Sequence, residues 1–136
     1  MGGQEVKLIV DTNVLVRAVV QDDRKQAEAA ARLLRRAETI AVSLPCLCEF
    51  VWVLRSVYRF GREEIAAAIR ALLDAGNVVV NRPAADAGLA MLEANGDFAD
   101  GVIAWEGRWL GGETFVSFDK AAVGLLRELG VEARLV

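Results

Sequence analysis

Histidine is missing altogether from this 136-residue chain, and cysteine occurs only twice. Without imidazole, His-ligated zinc and His-based acid–base catalysis are excluded. The two cysteines, Cys46 and Cys48, lie in the apolar stretch PCLCEFVWVL, which reads as a helix, so their thiols point in different directions. Two thiolates with no further Cys or His cannot complete a zinc site, which leaves packing as their ordinary role. Basic charge is also short. The 16 Lys and Arg residues stand against 19 Asp and Glu, for a formal net charge of −3, and the sequence pI is about 5.0. That balance excludes a broad basic face for gripping duplex nucleic acid. Chemistry on nucleic acid would have to come from a local site whose acidic charge is offset by bound cations. Arg17, Arg55, Arg59 and Arg62 are candidates to line such a groove, although Arg on a helix face is more often simply solvated. No apolar run is long enough to cross a membrane without interruption by charge, and the apolar part of MGGQEVKLIVD is too short for a signal peptide, so the cytoplasm is the expected location.

Apolar side chains, by contrast, are abundant. They make up 54% of the chain, and the mean hydropathy is +0.32. The length fits one domain over residues 1–136 with one substantial core. A domain of this size cannot hide so much apolar surface alone, which points to a homodimer, a partner protein, or both. Trp52, Trp105 and Trp109 serve equally as core aromatics or as the large residues of such contacts.

Short β-branched runs alternate with longer helical segments. The pattern predicts strands over Val6–Val10, Thr39–Ser43, Asn77–Asn81, Thr114–Phe118 and Val131–Val136. Between them it predicts a helix carrying the stripe Ala27, Ala30, Ala31 and Leu34, with Asp22 or Asp23 as its cap. Further helices follow: one from Pro45 to about Phe60, one from Arg62 to about Ala75, one opened by Pro83, one capped by Asp97 and running to about Leu110, and one over Lys120–Leu129. Such alternation implies an α/β fold with a mainly parallel sheet of four to five strands covered on both faces. Ligands in such folds bind at the carboxyl ends of strands.

Two carboxylates occupy that position: Asp11 follows KLIV directly, and Asp119 follows TFVSF. If their strands are parallel neighbours, both emerge at one sheet edge, whereas either alone reads as a solvated loop aspartate. Glu49 lies inside an otherwise apolar helix with no Lys or Arg one turn away. A carboxylate desolvated by those neighbours must be protonated, paired across the fold or bound to a cation. In GDFAD, Asp97 suits a helix N-cap and Asp100 the first turn, where the helix dipole favours negative charge and where a side chain can also face a cleft. Two like charges about 4 Å apart repel by roughly 4 kcal/mol at an effective dielectric near 20. Grouped carboxylates therefore call for cations, and an all-oxygen set favours Mg²⁺ or Mn²⁺.

The segments IVDTNVLVR, LCEFVWVL, GDFADGVIA and FVSFDKAA, in this order, resemble the PIN-domain ribonucleases, and more narrowly the VapC-type toxins of toxin–antitoxin pairs. The resemblance runs from Ile9 to Ala122. It implies a PIN-like three-layer α/β/α fold and a Mg²⁺- or Mn²⁺-dependent endoribonuclease that hydrolyses RNA phosphodiesters with an activated water. It implies catalytic, metal-binding carboxylates at Asp11, Glu49, Asp100 and Asp119, with Asp97 at an accessory acidic position. Asn13 and Ser117 match polar positions that orient ligands or water, and Thr12 reads equally well as ordinary turn chemistry. Ser117 stands where threonine is common and keeps the hydroxyl; Gly101 stands where alanine is common and is expected to weaken its helix slightly. The resemblance further implies a homodimer inhibited by a small cognate antitoxin whose C-terminal segment obstructs the acidic site.

Other classes fit less well. A phospho-acceptor domain wants paired acids after the first strand and an Asp after a mid-chain strand, whereas Asp11 is followed by Thr12 and Asn13 and the strand at Asn77–Asn81 ends without one. An aspartyl phosphatase wants a second Asp where Asn13 stands. A catalytically inert PIN-like binding module and a PIN nuclease of RNA processing remain as alternatives to the toxin.

Overall fold

The computed structural model describes residues 6–136; the first five residues, part of the N-terminal stretch read above, lie outside them. Seven helices and five strands alternate along the described residues. The chain divides into two compact units, Met1–Val80 and Asn81–Val136.

The first unit contains β1 (Lys7–Ile9), α1 (Thr12–Val19), α2 (Arg24–Arg36), β2 (Thr39–Ala41), α3 (Leu44–Ser56), α4 (Arg62–Asp74) and β3 (Val78–Val79). Its strands form a parallel sheet in the order β1-β2-β3, with Leu8 opposite Ile40 and Ile40 opposite Val78. Leu15, Ile40, Leu47, Phe50, Leu54, Ile65 and Ile69 are buried here. Asn77 holds the end of α2: its amide donates to the carbonyls of Leu34 (2.8 Å) and Ala37 (3.0 Å), which have no partner within the helix.

The second unit contains α5 (Arg82–Glu93), α6 (Phe98–Trp109), β4 (Phe115–Ser117), α7 (Lys120–Glu128) and β5 (Ala133–Leu135). β4 and β5 pair in parallel, with Val116 opposite Arg134. Met91, Ala104, Val123, Leu126 and Ala133 form its buried cluster, with Phe115, Leu125 and Val131 packed against it.

The α/β class, the parallel pairing and the five strands agree with expectation. The strands are shorter than expected and form one three-stranded and one two-stranded sheet. β1, which carries Asp11 at its end, belongs to the three-stranded sheet, and β4, which carries Asp119, to the two-stranded one. The helix α1 is new, because patterning assigned no element to Thr12–Val19, a stretch rich in the β-branched residues that lower helix propensity. It forms because Asp11 caps it and Leu15 and Val16 are buried. α3 ends at Ser56 rather than near Phe60, with Arg59 in a left-handed conformation (φ 61°) that a non-glycine residue does not advertise. Trp52 and Trp109 are not core aromatics, being 61% and 72% exposed, and Trp105 is half-buried.

Candidate metal centre

Asp11 leaves the end of β1 in an extended conformation and becomes the N-cap of α1, its Oδ1 accepting from the Thr12 N–H at 2.7 Å. Thr12 is the first helical residue and is buried, 5% exposed. Its hydroxyl donates to Glu49 Oε1 at 2.6 Å, across 37 positions of sequence. One residue thus donates to both carboxylates, through its backbone to Asp11 and through its side chain to Glu49. Among the described residues of their unit, the second oxygen of each acid takes no hydrogen bond. Behind Thr12 lies Cys46, whose buried thiol is 3.7 Å from the Thr12 hydroxyl and donates to the Val10 carbonyl at 3.6 Å. Burial raises the pKa of the Cys46 thiol; the Thr12 contact opposes that rise, and the charges of Asp11 and Glu49 add to it. Cys46 is thus a protonated packing residue, as its sequence context suggested.

Glu49 itself requires a correction. Its apolar sequence neighbours do not desolvate it, because it lies on the exposed side of α3. Pro45, Glu49, Trp52 and Ser56 recur at helical spacing along that exposed side, while Leu47, Phe50, Val51 and Leu54 turn inward. The apolar flanks of Glu49 in the sequence are core residues of the opposite helix face. Asn13 is also exposed.

In the second unit Asp97 caps α6, its Oδ1 accepting from the Ala99 N–H at 3.1 Å, and Asp100 stands in the first turn of that helix. Asp119 caps α7: Oδ1 accepts from Ala121 N–H (2.9 Å) and Ala122 N–H (3.1 Å), leaving Oδ2 uncommitted. Ser117, the last residue of β4, accepts from the Asp119 N–H at 2.9 Å and so shapes the turn that carries the acid. Partial burial raises the pKa of Asp100, and the negative charges of Asp97 and Asp119 raise it further. These three acids therefore act on one another electrostatically.

The acids thus fall into two sets, Asp11 with Glu49 and Asp97 with Asp100 and Asp119. Among the described residues no group of three or more His, Cys, Asp or Glu side chains stands close enough together to hold an ion. The donor chemistry nonetheless fits a hard divalent cation. Every candidate ligand is a carboxylate, Asp11, Glu49 and Asp119 each keep one oxygen free of the hydrogen bonds that position the other, and Asp100 resists ionisation among like charges.

Residues 8–123 match the PIN domain, a span that takes in all five acids. The chain belongs to the PIN domain family. The three-layer α/β/α fold class expected for it, with parallel strands between helices, holds. PIN domains are generally metal-dependent nucleases, and they generally bind divalent metals. No curated protein matches this PIN domain closely enough to count as a relative. Among its described residues no helix is long and apolar enough to cross a membrane.

The residue that sequence reasoning undervalued in this PIN domain is Thr12. Its position directly after a strand-end aspartate was visible, but its partner lies on another helix.

Proposed function

We propose that this PIN domain is a Mg²⁺- or Mn²⁺-dependent endoribonuclease, the VapC-type toxin of a toxin–antitoxin pair, working as a homodimer in the cytoplasm. The observation that carries the nuclease reading is the family match over residues 8–123, a span that includes Asp11, Glu49, Asp97, Asp100 and Asp119; the toxin reading rests on the resemblance of the four sequence segments. That match extends across both compact units, which supports treating residues 1–136 as a single PIN-like domain.

Asp11, Glu49, Asp100 and Asp119 are the proposed ligands, with Asp97 accessory to them. A divalent cation bound there supplies Lewis-acid stabilisation of phosphate charge and lowers the pKa of water. The chain's own residues hold and orient the carboxylates. Asp11 and Asp119 each use one oxygen on a helix N-terminus and keep the other for a ligand. Ser117 fixes the Asp119 turn. Asn13, exposed two residues after Asp11, is the group proposed to orient substrate or water. The acidic net charge of −3 makes cations the means by which an RNA phosphate approaches these residues. The cognate antitoxin of this reading is a small protein whose C-terminal segment obstructs the acids.

The test is cleavage of labelled RNA by antitoxin-free protein with Mg²⁺ or Mn²⁺, with EDTA, and with Asp11→Asn. Metal-dependent cutting that falls by roughly 100-fold or more in the variant is the expected outcome. An absence of cutting across several RNAs, together with no Mn²⁺ binding by calorimetry, would overturn the enzyme reading in favour of an inert binding module.

A further inference from the structure

Thr12 is buried at the first position of α1, yet its hydroxyl serves an acid on the exposed side of α3. A hydroxyl has one proton to give. Glu49 Oε1 at 2.6 Å and Cys46 Sγ at 3.7 Å both lie near it, and the short contact to an anionic oxygen is much the stronger acceptor. Among the described residues of its unit Glu49 has no other hydrogen-bond donor, and no cation pairs with it. An exposed Glu otherwise samples several rotamers, so this one bond decides where its carboxylate stands. The same residue's N–H holds Asp11 Oδ1. The free oxygens of the two acids are therefore indexed to one rigid point, backed by the Cys46–Val10 contact.

We propose that Thr12 is a positioning residue of the metal centre: its hydroxyl fixes Glu49 Oε1 so that Oε2 is presented to a divalent cation alongside Asp11. The proposal rests on the metal-dependent reading above. Thr12 touches neither metal nor substrate and acts through Glu49. Groups that orient a metal ligand in this way typically account for roughly 10–100-fold in metal affinity.

The experiment is Mn²⁺ binding by calorimetry on the full chain, with thermal unfolding in parallel, for wild type, Thr12→Val, Thr12→Ser and Glu49→Gln. Valine keeps the shape and removes the donor; serine keeps the donor. The expected result is Mn²⁺ binding weakened roughly 10–100-fold in Thr12→Val and restored in Thr12→Ser, with unfolding temperatures close to wild type. Unchanged affinity in Thr12→Val, with Glu49→Gln impaired, would overturn the positioning role and leave the metal reading standing. Thr12→Ser as weak as Thr12→Val would also overturn it, since the methyl group rather than the hydroxyl would then matter. Unchanged affinity in Glu49→Gln would remove Glu49 from the metal centre and the proposal with it. Should Thr12→Val not unfold cooperatively, Thr12→Ala against Thr12→Ser makes the same comparison.

Discussion

Capping and metal binding compete as explanations for an aspartate only while it is treated as a single donor. A carboxylate has two oxygens, and Asp119 shows how both uses coexist: Oδ1 takes two backbone N–H groups and Oδ2 remains available. This determines the useful substitutions. Asn caps a helix about as well as Asp, so Asp11→Asn and Asp119→Asn remove charge while the helix starts survive, whereas alanine would confound the two effects. Asp100 supplies a pH signature. Its folded-state pKa is raised by partial burial and by Asp97 and Asp119. Below the ordinary aspartate pKa of about 3.9 the folded and unfolded chains both hold the proton, and Asp100 costs nothing. As pH rises through the raised value the folded protein has to ionise a group that the unfolded chain ionises more easily, and stability falls. Metal-free Asp100→Asn is therefore expected to melt above wild type at neutral pH, with the difference vanishing in acid. Adding Mn²⁺ is expected to reverse the order at neutral pH, because an ion at 100 times its Kd contributes about 2.7 kcal/mol to the form that binds it. Melting curves at two pH values, with and without Mn²⁺, check all three statements.

At the scale of elements, α6, which carries Asp100 in its first turn, is held against α5 by close backbone approach. A methyl group at Gly101 would collide with the Ala87 carbonyl and stand 2.9 Å from Gly88 Cα, and one at Gly88 would lie 2.7–2.8 Å from the Phe98 ring. Gly101 is thus the residue that lets α6 sit against α5, and the expectation that it merely weakens a helix start is corrected. Helix propensity alone would make alanine better by about 1 kcal/mol, but the obstacle is backbone, which cannot swing aside. Gly101→Ala is expected to destabilise the protein by roughly 1–3 kcal/mol, read as a lower urea midpoint. A midpoint at or above wild type would show that the helices have room to part. α3 has the opposite design: its core face anchors Phe50 and Leu54, which frees Glu49 and Trp52 for the outside.

At the scale of the whole molecule, the apolar excess of the composition reappears as exposed aromatic and aliphatic surface. Trp109 and Leu110 are adjacent and 72% and 73% exposed. Scattered apolar residues at a surface are ordinary, but a neighbouring Trp–Leu pair is an anchor of the kind that interfaces use. In the homodimer proposed above, sedimentation is expected to give a dimer, and Trp109→Ser with Leu110→Ser to shift it toward monomer. A dimer untouched by that pair would place the contact elsewhere, with Trp52 the next residue to replace.

The sequence by itself determined the class of the fold and the succession of its strands and most of its helices along the chain, because these depend on periodicity and on local caps. Asp97 caps its helix as its position implied, and Ser117 kept a working hydroxyl. Only the tertiary structure decided the rest. Glu49 is exposed because helical geometry separates residues that are adjacent in the chain, so apolar flanks could not reveal its surroundings. Gly101 mattered through a helix that sequence could not place against it. Thr12 found its role 37 positions away, where one hydroxyl proton settles a carboxylate, and no local pattern encodes a bond of that span.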